Sequence, residues 1–142
     1  DIILDKAIAV GIGRINAETI DRINIKESTK LAMKLAVLNL RDKSGNRIVP
    51  DYLLIDAENI DLPIPQKGII KGDDISHGIA CASILAKVYR DRLCLEWDNK
   101  YPGYNIKSNK GYGTREHREK IKTKGITPMH RKTFLRNILI DN

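Results

Sequence analysis

The chain opens with an alternation of small and branched apolar residues. Between Lys6 and Gly13, the β-branched Ile8, Val10 and Ile12 are separated by Ala or Gly, a period of two that predicts a strand. A helical period follows. Leu31, Leu35 and Leu38, with Ala32, Met33 and Ala36, predict an amphipathic helix over about Glu27–Leu40. A shorter helix before it, through about Asp21, has Asn16 as its cap and Glu18 in its first turn. Residues 42–47 are a polar turn. Apolarity then becomes continuous: Tyr52-Leu53-Leu54-Ile55 predicts a strand over Asp51–Asp56, buried on both faces as in the middle of an α/β sheet. Pro63 and Pro65 exclude regular structure around them, because each fixes φ and removes a donor. Gly68–Lys71 predicts a short strand and Ile75–Asp98 a long helix. The first half of that helix is small (Gly78, Ala80, Cys81, Ala82, Ser83, Ala86) and suits close packing on a sheet. Tyr101–Gly113 reads as a loop, Thr114 caps a helix through about Lys124, and Pro128 interrupts the chain before a last helix from about Arg131. The segment Asp1-Ile2-Ile3-Leu4 carries neither a helix nor a strand signal. The whole is an α/β pattern.

Length and charge refine this. At 142 residues the chain is a single domain's worth, with enough apolar content for a core. No apolar run reaches the length of a membrane span, and the first residues lack a signal-peptide pattern. Cys81 and Cys94 lie on the same predicted helix, roughly 20 Å apart along its axis, beyond disulfide reach. Reduced, buried thiols in a cytoplasmic protein are expected. The net charge is +7, and its placement is uneven. Residues 1–100 hold 15 Lys and Arg against 15 Asp and Glu, whereas residues 101–142 hold 10 against 3. A basic end of this kind is either a solvated face or a contact for a polyanion.

Two constellations carry candidate chemistry. Asp56 ends one apolar run, and Asp73, in Lys71-Gly72-Asp73, follows the other. Two readings of this pair stand. In one, Asp56 begins a turn and Asp73 or Asp74 caps a helix, with Asp74 the better placed to cap. In the other, the two carboxylates share a hard divalent cation, Mg²⁺ or Mn²⁺, because a bare pair would repel. No Cys/His spacing suits zinc. The second constellation is Tyr101-Pro102-Gly103-Tyr104, Lys107 and Lys110-Gly111-Tyr112-Gly113-Thr114. Tyr112, flanked by Gly111 and Gly113, suits stacking on a sugar or base. Lys110 suits phosphates, and Thr114 starts a helix whose N–H groups favour an anion. Tyr101, Tyr104 and Trp97 suit packing on the core. His77 suits a structural place, His117 the surface or a helix-start contact, and His130-Arg131-Lys132 either phosphate binding or a solvated cluster.

The ordered pieces resemble ribonuclease HII. They are Glu18-Thr19-Ile20-Asp21-Arg22, Pro50-Asp51-Tyr52-Leu53-Leu54-Ile55-Asp56, Pro63-Ile64-Pro65-Gln66 and Lys71-Gly72-Asp73. Further along come Ala80-Cys81-Ala82-Ser83-Ile84-Leu85-Ala86-Lys87 with Arg90-Asp91-Arg92, Lys110-Gly111-Tyr112-Gly113-Thr114 with His117, and Thr127-Pro128-Met129-His130-Arg131. The resemblance implies an RNase H-like mixed sheet flanked by helices, with a basic C-terminal helical part over about 100–142. It implies hydrolysis of the RNA strand of RNA/DNA hybrids and cutting 5′ of ribonucleotides embedded in DNA, with Mg²⁺ or Mn²⁺ in a two-metal site. Asp56 and Asp73 match two of the family's four metal-binding carboxylates, and Tyr112 matches the tyrosine that senses the ribose–deoxyribose junction. Gly111, Gly113, Thr114, Lys110, His130 and Arg131 fall among the expected substrate contacts. The family's Asp-Glu-Ala-Gly-Arg-Gly motif, source of the other two carboxylates, does not occur in the sequence, nor do the family's first two strands. Ala57 stands where the family usually has Gly, and Asn109 where it often has His. The chain alone is therefore expected to be nearly inactive and to self-associate through open strand edges. The alternative expectation is a catalytically incomplete nucleic-acid-binding fragment of the same fold.

Overall fold

The computed structural model describes residues 1–139. In chain order the elements are α1 (Ile2–Lys6), β1 (Ala9–Val10), α2 (Ala17–Ile23), α3 (Ile25–Leu38), β2 (Arg41–Asp42), β3 (Leu53–Asp56) and β4 (Gln66–Ile69). Then follow α4 (Gly72–Ile75), α5 (His77–Lys100), α6 (Ile106–Asn109), α7 (Arg115–Lys124), a 3₁₀ turn (Lys132–Leu135) and α8 (Arg136–Leu139). The α/β class holds. Two compact units divide the chain: one comprises 1–15 and 24–86, the other 16–23 and 87–142. The basic C-terminal part expected from about residue 100 thus belongs to a unit that also takes in α2 and the later part of α5.

In the first unit β3 and β4 pair in parallel, Leu53 opposite Gln66 and Asp56 opposite Ile69, while β1 and β2 form a separate antiparallel pair. Leu53 and Ile55 are buried with Ile60, against Met33 and Val37 of α3 and Leu62 and Ile64 of the proline loop. Tyr52 and Leu54 are exposed. The expected two-sided burial of β3 is therefore corrected to one-sided, because among the described residues β3 has one strand neighbour and only one covered face. β4 starts two residues earlier than the apolar run, at Gln66, whose side chain does the work of a strand neighbour: Ile60 N–H donates to Oε1 (2.8 Å) and Nε2 donates to Ile60 O (2.9 Å).

Other expectations are corrected as well. The strand over 6–13 shrinks to Ala9–Val10, and a helical turn precedes it at Ile2–Lys6. Gly11 and Gly13 lie directly on α3, where a Cβ would run into the carbonyl oxygens of Ala36 and Ala32. That close approach, with Asn39 Nδ2 donating to Ile12 O (2.9 Å), replaces sheet pairing. The small face of α5 does not pack closely: Gly78, Ala82, Ser83 and Ala86 are exposed, and a Cβ on Gly78 would come no nearer than 3.8 Å to the Ser76 hydroxyl. Helix α3 starts at Ile25, two residues earlier than the apolar stripe implied, because Asn24 Oδ1 accepts from Glu27 N–H (3.0 Å). The cap at Asn16 is as expected, accepting from Thr19 N–H (2.8 Å).

The second unit has its own core of Cys94, Tyr104, Ile106, Ile121 and Leu135, with Trp97, Tyr101, Met129 and Ile138 packed on it. Both cysteines are free, as expected, but only Cys94 is fully buried, and burial raises its thiol pKa. Asp21 of α2 caps the 3₁₀ turn from a distance in sequence. Its carboxylate accepts from Lys132 N–H (2.7 Å), Thr133 N–H (3.0 Å) and the Thr133 hydroxyl.

Candidate active site

Asp56 occupies the C-terminal end of β3, the end at which parallel sheets usually present ligand-binding groups. The chain leaves β4 through Ile70 and through Lys71 in the left-handed conformation (φ 54°), then enters α4 at Gly72. The Gly72 N–H donates to Asp56 Oδ1 at 2.9 Å. That bond ties the Asp56 carboxylate to the main chain of the residue before Asp73, and Asp73 itself is exposed. Gly72 is needed for the approach: a Cβ there would sit 2.6 Å from Ile79 Cδ1 and 3.3 Å from Asp56 Oδ1. Ala57 also adopts a left-handed conformation (φ 55°), with its N–H donating to Ile69 O (2.9 Å). Glycine would take that conformation without the cost that alanine bears.

The expected capping role of Asp74 is corrected. Lys71 occupies the cap position of α4, and Asp73 and Asp74 both lie in its first turn. Ser76 then separates α4 from α5 and offers its Oγ to Ile79 N–H (3.4 Å). His77 is the first residue of α5 and is exposed, not packed inside. Asp56 and Asp73 present hard oxygen donors of the kind that suits Mg²⁺ or Mn²⁺. In number they fall short, since no group of three or more His, Cys, Asp or Glu side chains able to hold a metal converges among the described residues. The pair fits a divalent cation in type and is a partial donor set for it.

The second unit presents Tyr112. Its ring is 66% exposed, while Tyr101 and Tyr104 pack on the core as expected, Tyr104 donating its hydroxyl to Gly125 O (2.9 Å). Lys110 and Gly111 are both left-handed (φ 53° and 78°), and they turn the chain sharply after α6. Gly113 has a different role from that expected: Arg118 covers it, Nε donating to Gly113 O (2.9 Å). Thr114 caps α7 as expected, accepting from His117 N–H (3.2 Å). Arg90 of α5 reaches the same loop. Its guanidinium carbon lies 5.6 Å from the Tyr112 ring centroid and its Nη2 donates to Lys110 O (3.0 Å). Arg131 is half-buried, its guanidinium 3.7 Å over the Phe134 ring. Burial first, and then the neighbouring Arg90, pull its pKa below the usual value, with the Asp21 carboxylate opposing them.

Two histidines differ from expectation. His117 is buried, and so is His130, whose ring points inward while Arg131 points out. For His117 the neighbours Glu116 and Arg118 gave no sign of this, whereas His130 directly follows Met129, which packs on the core. Asn109, buried, donates Nδ2 to Tyr104 O (2.7 Å) and accepts from Gly111 N–H (2.8 Å), two local bonds that suit an amide side chain. Arg90 and Asp21 were legible only as members of matching motifs.

The fold is of the α/β class, with a carboxylate at a strand end in the first unit and an exposed tyrosine on a glycine-rich, basic loop in the second. The family profile for Ribonuclease HII matches residues 2–137, and the chain belongs to that family of ribonucleases. Ribonuclease HII of Alkaliphilus oremlandii is 59% identical over 139 residues, covering 98% of this chain and 68% of that protein. The Alkaliphilus metalliredigens protein of the same name is 55% identical with the same coverage. That of Enterococcus faecalis is 51% identical over 93% of this chain, which spans 49% of it. No described helix is long and apolar enough to cross a membrane.

Proposed function

We propose that this chain carries half of the metal-binding carboxylates and the ribose-sensing tyrosine of an endonuclease. That enzyme hydrolyses the RNA strand of RNA/DNA hybrids and cuts 5′ of ribonucleotides embedded in DNA, leaving 5′-phosphate ends, in the cytoplasm. The observation that carries this reading is the Asp56 carboxylate, fixed at the end of β3 by the N–H of the residue beside Asp73. Asp56 and Asp73 hold Mg²⁺ or Mn²⁺ together with further carboxylates. Bound metal of this kind activates water and stabilises the leaving oxygen. Tyr112 stacks on the sugar at the junction. Lys110, Arg131 and the first turn of the helix capped by Thr114 hold flanking phosphates, Gly111 and Gly113 leave the loop beside Tyr112 without side chains, and His130 supports them from inside.

A second reading is a nucleic-acid-binding fragment incomplete for catalysis. It is favoured by the shortfall of donors, two carboxylates where a clamp on both attacking and leaving oxygens needs more. One experiment separates them. A duplex with one embedded ribonucleotide is incubated with Mg²⁺ and either the 142-residue chain or the chain preceded by a segment bearing Asp-Glu-Ala-Gly-Arg-Gly. The expected result is little cleavage by the chain alone and cleavage restored by the segment, then reduced roughly a hundredfold or more by Asp56→Asn or Asp73→Asn. Binding without any restored cleavage selects the second reading. Vigorous cleavage by the chain alone overturns the claim of an incomplete site.

A further inference from the structure

The second unit holds a buried pair of imidazoles to which the nuclease reading gives no chemical step. His117 and His130 face each other with their Nε2 atoms 3.1 Å apart. That contact requires a proton on one Nε2 and a lone pair on the other. The surrounding bonds decide which. Both the main-chain N–H and the hydroxyl of Thr127 lie 2.9 Å from His130 Nδ1; the hydroxyl can donate or accept there. A main-chain N–H only donates, so Nδ1 holds a lone pair and the His130 proton sits on Nε2. His130 Nε2–H therefore donates to His117 Nε2, which leaves the His117 proton on Nδ1. That nitrogen lies 2.9 Å from the carbonyl oxygen of Tyr112. The hydrogen bonds run one way, from Thr127 N–H through both rings to the Tyr112 carbonyl.

The same carbonyl also accepts from Thr114 N–H (2.8 Å), and Tyr112 N–H donates to Asn109 O (2.8 Å). Both main-chain polar groups of Tyr112 are thus bonded while its ring stands in solvent. An extra proton breaks the chain at either ring. On His117 Nε2 it would confront His130 Nε2–H, and on His130 Nδ1 it would displace the Thr127 N–H bond and turn the Thr127 hydroxyl from donor to acceptor. The pair is therefore neutral at both rings in this arrangement. Burial, followed by the nearness of His117, lowers the His130 pKa. The titratable ring facing the pair from another segment is Tyr104, with centroids 6.4 Å from His117 and 5.5 Å from His130. The flanking charges on their own segments are Glu116 and Arg118, both exposed, and Arg131, half-buried.

We infer that His117 and His130 are positioning residues for Tyr112: the neutral pair fixes the main chain beneath the exposed ring, and acid, by protonating either imidazole, releases it. The consequence for ribonucleotide recognition rests on the proposed role of Tyr112; the fixing of its main chain does not. The test uses the 142-residue chain. Nitrogen-15 histidine spectra at neutral pH should show His130 protonated on Nε2 and His117 on Nδ1. Amide exchange at Tyr112 and Thr114 should quicken about tenfold in His117→Ala and stay near the parent rate in His117→Asn, whose amide nitrogen can stand in for Nδ1–H. The same two amides should lose protection together as His130 is protonated in acid. Opposite tautomers, or amide protection at 112 and 114 that does not follow the histidine titration, would overturn the inference even if His117→Ala fails to fold. A binding comparison of duplexes with and without one ribonucleotide is run alongside. Equal affinities for the unmodified chain, with the tautomers and protection as stated, would remove the ribose-sensing role of Tyr112 and leave its positioning intact.

Discussion

The Asp56 carboxylate depends on the absence of a single methyl group. Gly72 donates its N–H to Asp56 Oδ1, and the space where its Cβ would stand is filled by Ile79 Cδ1 and the Asp56 carboxylate itself. Gly72→Ala must displace a buried isoleucine or push the carboxylate from the strand end, and it should cost about 1–3 kcal/mol of stability. Denaturant unfolding checks the stability, and Mg²⁺-dependent cleavage by the segment-completed chain should fall with it. An unchanged midpoint and unchanged cleavage would show that Ile79 yields freely. Ser28 offers the converse case. It is buried in α3, and its hydroxyl finds no hydrogen-bond partner among the described residues. Ser28→Ala removes the unmet hydroxyl while keeping the helix, so stability should rise by about 0.5–1 kcal/mol, read as a higher unfolding midpoint. A loss of stability would mean that the hydroxyl has a bonded partner, such as a bound water.

Elements that lie far from the chemistry in sequence are tied to it by side chains that imitate main chain. Gln66 closes the proline loop on Ile60 through two reciprocal bonds and starts β4, whose pairing holds β3 and thus Asp56. Gln66→Ala strands the buried Ile60 N–H and should cost about 1–3 kcal/mol, read as a lowered unfolding midpoint. Asp21 does similar work for the 3₁₀ turn. The Thr133 hydroxyl first, then the Thr133 and Lys132 N–H groups, hold its pKa below 3.8. Because the folded value is the depressed one, the contribution of Asp21 is complete above the unfolded pKa and is lost as pH falls through the folded one. Asp21→Ala should lower stability by about 1–2 kcal/mol at neutral pH and flatten the acid limb of the pH–stability curve. A parent and variant with parallel acid limbs would remove that assignment. The long, periodic or capped elements were legible in sequence: α3 from its Leu and Ala stripe, α2 from Asn16, α7 from Thr114. The one-turn pieces α1, α4 and α6 were not, since four or five residues carry no readable period. The strand end at Asp56 was legible because an acid directly follows an apolar run, whereas Asp73 follows the next run only after Lys71 and Gly72. The buried pair His117 and His130 was not legible, because it packs on Tyr104 and on itself across thirteen residues, contacts that no local period encodes.

At the scale of the whole molecule, the first unit leaves apolar surface uncovered around its sheet. Leu54 of β3 is 50% exposed, Ile70 beyond β4 78%, and Ile75 of α4 69%. β3 and β4 pair only with each other among the described residues, so each has a free outer edge, and a two-strand sheet is marginal without further partners. Free edges beside exposed apolar side chains favour pairing with another chain. The 142-residue chain should therefore sediment as dimers or larger species at micromolar concentration. Salt should not reverse this, because the driving force is apolar burial and main-chain pairing, not charge. A segment with two strands that dock on the sheet and bear the missing carboxylates should return it to a monomer. Leu54→Lys should weaken the association by placing a charge on the open face, with little cost to folding because Leu54 is not part of the core. Sedimentation velocity at two salt concentrations, on the chain, the Leu54→Lys variant and the segment-completed chain, checks all three outcomes. A monomeric chain with a single cooperative melting transition would show that the first unit closes its own edges.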